Sequence, residues 1–155
     1  MYNKLKNNKG LTLAEVVIVL AIMGILSVTV LPMYSKLQLR SQNNRNLANM
    51  VTIQEVFRNY YYYTYSAGKP HYPPSPTDSL MTEEWANTPM DSSLSLQTPN
   101  ELFGTGNVPN NSNGVPFLYR NWVDIMPDGR KMRRMIIKDT DPDSPSYGES
   151  LEFTI

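Results

Sequence analysis

The sequence predicts an α+β protein: one long N-terminal helix, apolar in its first half and amphipathic in its second, packed on a small antiparallel sheet with long loops. Three observations predict it. Residues 11–32 read LTLAEVVIVLAIMGILSVTVLP, apolar except for Glu15 and a few small hydroxyl residues. Leu47, Met50, Ile53, Phe57 and Tyr60 then recur at spacings of three and four, the period of one helix face. Strand-like runs come only late, at 117–122, 133–138 and 151–155, and the turn Pro127-Asp128-Gly129 between the first two signals a hairpin.

Four segments follow in order. Residues 1–10, MYNKLKNNKG, form a short basic leader carrying Lys4, Lys6 and Lys9 and ending in glycine. Residues 11–35 form the apolar half of the helix. The uncharged stretch from Val16 to Ser35 is 20 residues long, and a helix of that length covers about 30 Å, the thickness of a bilayer's hydrocarbon core. The lysines before it predict a cytoplasmic N-terminus and an exported remainder. A cleaved secretory signal shares the basic start, but this apolar run is long for one and no small-x-small cleavage site follows it. Residues 36–67 form the amphipathic half, where Lys36, Arg40, Arg45, Glu55 and Arg58 lie largely off the apolar stripe. Gly68 and Pro70 stop the helix. Residues 68–155 form a loop-rich β domain, with one further short helix expected at 78–87, capped by Asp78 or Ser79.

Charge and composition narrow the function. The 14 basic and 14 acidic residues balance, so no global field draws the chain to nucleic acid. There is no cysteine, which excludes disulfides and thiolate metal sites. His71 stands alone, and no phosphate loop, nucleophile elbow or metal-spaced histidine pair occurs, so an enzyme is not expected. Arg130-Lys131-Met132-Arg133-Arg134 is the one dense basic patch after the leader. It lacks interleaved aromatics, which places nucleic acid outside the expected partners. The run Tyr60–Tyr63 with Tyr65 reads as helix surface under a small domain in preference to a ligand patch.

Glu15 needs a purpose, because a carboxylate inside a bilayer costs about 2.5–3.5 kcal/mol on insertion scales. It lies four residues after Leu11. If the chain were cut after Gly10, Leu11 would carry a positive amine, and a neighbouring subunit's Glu15 could pair with it, neutralising both charges and setting axial register. The competing reading is a carboxylate that snorkels into the headgroup region. Gly24 and Pro32 form a second pair. Proline removes the N–H that would bond the Val28 carbonyl, and glycine weakens the helix by about 1 kcal/mol relative to alanine.

The run Gly10-Leu11-Thr12-Leu13-Ala14-Glu15 before the apolar stretch resembles the class III signal of type IV prepilins and type II secretion pseudopilins. The resemblance covers residues 4–40 closely and the rest in layout. It implies that a prepilin peptidase cuts after Gly10 and methylates Leu11, that Glu15 serves assembly, and that the helix between Gly24 and Pro32 unwinds in the filament. Members more often begin with phenylalanine; Leu11 is an apolar departure. Tyr72-Pro73 and Pro116-Phe117-x-Tyr119-Arg120 are similar to the layout of a major pseudopilin. That likeness implies calcium in a late acidic loop, with Asp139, Asp141 and Asp143 as oxygen ligands; the residues alone favour an acidic solvated loop, since their spacing is not that of an EF-hand. The implied partners are further copies of the chain, minor pilins, the prepilin peptidase, an inner-membrane assembly platform and the inner membrane itself. The expected function is a subunit of a type II secretion pseudopilus. A type IV pilus or a competence filament are alternatives, as is a single-pass membrane protein with a periplasmic domain that never polymerises.

Overall fold

The computed structural model describes residues 10–90 and 98–155. The expected leader, residues 1–9, and part of the turn-rich stretch, 91–97, lie outside them. The architecture is α+β: α1 (Leu13–Ser66), α2 (Glu83–Ala86), a 3-10 turn (Pro99–Leu102), and strands β1 (Leu118–Ile125), β2 (Lys131–Lys138) and β3 (Ser150–Thr154). The chain divides into two units, Met1–Leu39 and Arg40–Ile155.

In the first unit, α1 runs without interruption through Gly24 and Pro32. Every described side chain from 10 to 39 is exposed, including Leu20, Ile25 and Val28. The Ser27 hydroxyl donates to the Met23 carbonyl at 2.7 Å, a local bond that keeps this polar side chain turned onto its own helix.

In the second unit, α1 presents one buried stripe: Asn46, Met50, Ile53, Phe57, Tyr60, Tyr61 and Thr64. Met50, Ile53, Phe57 and Tyr60 are those the three-four spacing predicts; Tyr61 is buried in addition, and Leu47 is half-buried beside them. The stripe also has polar ends, Asn46 and Thr64, that hydropathy does not reveal. Gly68, at φ +79°, ends the helix in a Schellman closure. Lys69 N–H donates to the Thr64 carbonyl and Gly68 N–H to the Tyr65 carbonyl, each at 3.0 Å. This satisfies two of the last orphan carbonyls, and the left-handed turn favours glycine.

The sheet is antiparallel in the order β1-β2-β3. Register places Tyr119, Ile137 and Leu151 in one cross-strand row and Asn121, Met135 and Phe153 in the next. Tyr119, Ile137 and Met135 are fully buried, and Leu151 and Phe153 pack on the same cluster. Phe57 of α1 sits at the centre, its ring 4.7 Å from Tyr119 and 6.2 Å from both Trp85 and Phe103. Tilted and edge-on rings at such distances are the favoured aromatic geometries. The hairpin closes where the Pro-Asp-Gly signal predicts: Gly129 N–H donates to the Met126 carbonyl at 2.9 Å, with Gly129 at φ +80°.

The short helix differs from expectation at its start. Thr82, not Asp78 or Ser79, caps α2 by accepting the Trp85 N–H. Asp78 instead accepts the Leu80 N–H at 3.1 Å, and Ser79 adopts φ +66°. That turn carries the chain to β1, since Tyr119 N–H donates to the Ser79 carbonyl at 2.7 Å and Met81 N–H to Phe117 at 3.0 Å.

Two tyrosines make opposite contributions. Tyr119 donates its hydroxyl to the Pro73 carbonyl at 2.8 Å. Burial raises its pKa well above the usual tyrosine value. Tyr72 is also buried, but its hydroxyl has no hydrogen-bond partner. Burial, followed by the neighbouring Tyr61 and Tyr62, pushes Tyr72 up to about 12. Leaving a buried hydroxyl unpaired costs free energy, whereas a paired one stabilises. In denaturant titrations of detergent-solubilised chain, Tyr72→Phe should therefore be neutral or slightly stabilising. Tyr119→Phe should cost about 1 kcal/mol.

Candidate functional site

The first site lies at the start of α1. Thr12, Leu13, Ala14 and Glu15 follow the pattern in which a hydroxyl residue and an acid three positions later cap a helix reciprocally. The geometry is complete. One Glu15 carboxylate oxygen, Oε2, accepts both the Thr12 N–H and the Thr12 hydroxyl at 2.8 Å, and the Thr12 Oγ1 accepts the Glu15 N–H at 3.3 Å. Within its own chain, the acid is therefore held by the first turn of its helix. The sequence reading assigned Glu15 to assembly and missed Thr12, although the Thr-x-x-Glu spacing was there to find.

Gly10 and Leu11 precede the first helical turn in exposed, non-helical chain. No part of Gly10 is crowded: a side-chain carbon added there would meet nothing within 4 Å. The peptide bond between Gly10 and Leu11 lies outside the helix, so no helical turn has to unwind to expose it. Immediately after it, α1 is long and apolar enough to cross a membrane.

Residues 5–31 match the family described as the prokaryotic N-terminal methylation motif. The chain carries a class III signal, consistent with the type IV pilin and pseudopilin family. No curated protein and no solved structure matches it. The signal supports a pilin-like protein processed by prepilin peptidase, with a structural role, and with the apolar helix it fits membrane anchoring. The matched span contains Gly10, Leu11, Glu15 and Gly24, and stops one residue short of Pro32.

The second site is the late acidic loop, which differs from a solvated one. Asp139 and Asp141 are buried; Asp143 is exposed. The Asp139 Oδ2 accepts the hydroxyls of Ser144 and Ser146, each at 2.6 Å, and its Oδ1 accepts the Asp141 N–H at 3.1 Å. Asp141 accepts the side-chain amides of Asn113 at 2.8 Å and Asn111 at 2.9 Å, which hold its carboxyl below the usual aspartate range.

Asn46 of α1 completes this network. Its Oδ1 accepts the Ser112 N–H at 2.7 Å, which fixes the amide's orientation, because only the oxygen can accept. Its Nδ2 therefore faces Ser146 at 2.8 Å and Ser144 at 3.0 Å and donates to both. Protons run one way, from Asn46 to the serines to Asp139.

That direction tests the calcium expectation. A calcium ion needs six to eight oxygen lone pairs pointing at one centre. Here the serine lone pairs accept N–H groups and the serine protons occupy the Asp139 oxygen. Among the described residues, no three His, Cys, Asp or Glu side chains gather as a metal-holding group. In this arrangement these oxygens are committed to hydrogen bonds. The loop is instead pinned to α1 by hydrogen bonds. Asn46→Ala should lower stability by about 1–3 kcal/mol by removing its bonds to both serines and leaving the Ser112 N–H without its acceptor. Thermal unfolding should be the same in calcium and in chelator; a rise in Tm with calcium would contradict the hydrogen-bonded arrangement.

The two fragments that resemble a major pseudopilin meet in space. Tyr72-Pro73 leaves α1 and Tyr119 leaves the start of β1, and the Pro73 carbonyl accepts both the Tyr119 hydroxyl and the Asn121 amide at 2.8 Å. His71 is occupied structurally. Its Nδ1 donates to the Lys69 carbonyl, which leaves Nε2 to accept the Tyr60 hydroxyl at 3.1 Å. Of the tyrosine run, Tyr60 and Tyr61 are buried, while Tyr62, Tyr63 and Tyr65 are exposed. The basic patch lies on the hairpin end and β2, where Arg130 pairs with Asp128, and Arg134 with Asp124 at 3.0 Å.

Proposed function

We propose that this chain is the repeating subunit of a type IV pilin-like filament, and within that class a pseudopilin of type II secretion. The observation that carries the filament reading is a helix half whose described apolar side chains are uncovered, headed by a processing signal and one carboxylate. In the inner membrane, lipid covers that surface. Outside it, each exposed Leu, Ile or Val gains about 1.5–3 kcal/mol from burial, which sister helices would supply.

The carboxylate gives the process a register. Before assembly, Glu15 is capped by Thr12 of its own chain. After cleavage at Gly10, the new amine of Leu11 on a neighbouring subunit offers a charged partner, which neutralises the carboxylate as a neutral donor cannot. A stagger that misses this contact leaves both charges unpaired in an apolar bundle. Loss of helix between Gly24 and Pro32 belongs to the same step: packing would compensate a segment already lacking the Val28 hydrogen bond.

The preference for secretion over adhesion or DNA uptake rests on the Tyr72-Pro73 and Pro116-Phe117-x-Tyr119-Arg120 resemblance, supported by the Tyr119–Pro73 bond. Minor pilins, the assembly platform and a cytoplasmic N-terminus follow from that reading. In the native host, Gly10→Ala should accumulate a precursor longer by the leader and form no filaments. Glu15→Ala should be processed normally yet fail to assemble. Normal filaments from Gly10→Ala would contradict the proposal. If the chain serves secretion, its deletion should abolish export of folded enzymes; unaffected export with lost twitching or transformation would move it to one of the other filament systems.

A further inference from the structure

The charges of the second unit are sorted into blocks. Residues 70–119 contain Asp78, Glu83, Glu84, Asp91 and Glu101 and neither Lys nor Arg, whereas residues 120–138 contain Arg120, Arg130, Lys131, Arg133, Arg134 and Lys138 against Asp124 and Asp128. The fold places Asp78, Glu83 and Glu84 at or beside α2 and Arg130, Lys131, Arg133 and Arg134 toward the hairpin tip, while Arg120 and Lys138 lie at the α2 end of the sheet. The Leu80–Leu118 bridge fixes the α2 region at the beginning of β1, while Lys131 pairs with Ile125 at its other end. Seven residue steps of antiparallel strand lie between, about 24 Å. That is some three times the screening length of about 8 Å at physiological salt, so the two groups barely interact within one molecule.

Each end also has shape. Beside α2 lies a cavity of about 470 Å³, whose lining includes Pro74, Pro76, Trp85 and Pro99 together with Asp78 and Glu84. The Trp85 ring nitrogen is already committed to the Pro74 carbonyl at 3.0 Å, so its ring and the prolines form an apolar part of a groove otherwise lined by hydroxyls and acids. The hairpin end is its complement. Ile125 is 72% exposed, Val123 is 43% exposed, and Lys131 pairs with Ile125 across the strands, while Arg130 is already paired with Asp128.

We propose that the hairpin end of one copy docks into the α2 groove of the next, with Ile125 against Pro74, Pro76 and Trp85, and Lys131 facing Glu84 and Asp78. The occupant is a second copy of this chain because the two surfaces are complementary in both charge and apolar content and lie on opposite ends of one unit. A contact between different surfaces of identical subunits propagates head to tail, and it forms open helical assemblies when the rotation does not close. The inference deepens the filament reading and rests on it: the N-terminal helices would supply the bundle, and this contact would hold successive outer domains in order.

A chain without cysteine allows a clean test. Full-length chain carrying Glu84→Cys and Lys131→Cys is expressed in the native host, and its filaments are oxidised and run without reductant. A ladder of linked multimers is expected, while the control pair Asp143→Cys with Lys131→Cys stays monomeric. Charge exchange tests the contact without a cross-link. Lys131→Glu and Glu84→Lys should each lose most filaments, and the double exchange should restore them. Filaments that form but give no ladder, or the same ladder from both pairs, would overturn the docking while leaving the polymer intact. If the unaltered chain makes no filaments, the polymer reading falls and takes this contact with it.

Discussion

An uncovered apolar helix carrying one carboxylate is the constraint on which the rest of this molecule depends. In water such a surface would aggregate. In lipid it is stable, but the acid is then costly to hold unpaired. Thr12 relieves that cost locally by donating two hydrogen bonds to Glu15. The relief is partial, since neutral donors leave the carboxylate's net charge uncompensated. A monomer is thus tolerable in the membrane and improvable by assembly, which is the energetic condition that a subunit awaiting export into a filament has to meet.

The domain that follows must hold its shape with no disulfide. Its solution combines an aromatic core with polar pins at both ends of the buried helix stripe. Phe57 anchors the middle through Tyr119, Trp85 and Phe103. Thr64 ties the helix end to the outgoing chain by bonding both the N–H and the carbonyl of His71. Asn46 ties the other end to the late loop. Hydrogen bonds of this kind add modest net stability, but leaving any member unpaired is costly, so they specify one arrangement of the loops.

Sequence patterning exposed what depends on period and on local chemistry. The Met50, Ile53, Phe57 and Tyr60 spacing located the buried face of α1, and Pro127-Asp128-Gly129 located the hairpin. Gly68 marked the helix end because a left-handed residue is needed there. What stayed hidden depends on partners distant in sequence. Nothing in the local pattern singles out Asn46, which bonds Ser144 and Ser146 about a hundred positions away. Asp139 and Asp141 read as solvated acids for the same reason: nothing nearby in sequence announces the hydroxyls and amides that bury them. The cap of α2 was misplaced because Asp78 and Ser79 are both good caps, and the choice of Thr82 follows from how the preceding turn joins β1.

The central claim is that the apolar helix survives processing and becomes the part that sister subunits bury. Intact mass spectrometry of the protein taken from its native filaments tests this most directly. The mass should be that of a chain beginning at Leu11 with one added methyl group. A chain that still begins at Met1, or one that begins beyond Pro32 with the apolar helix removed, would contradict the account.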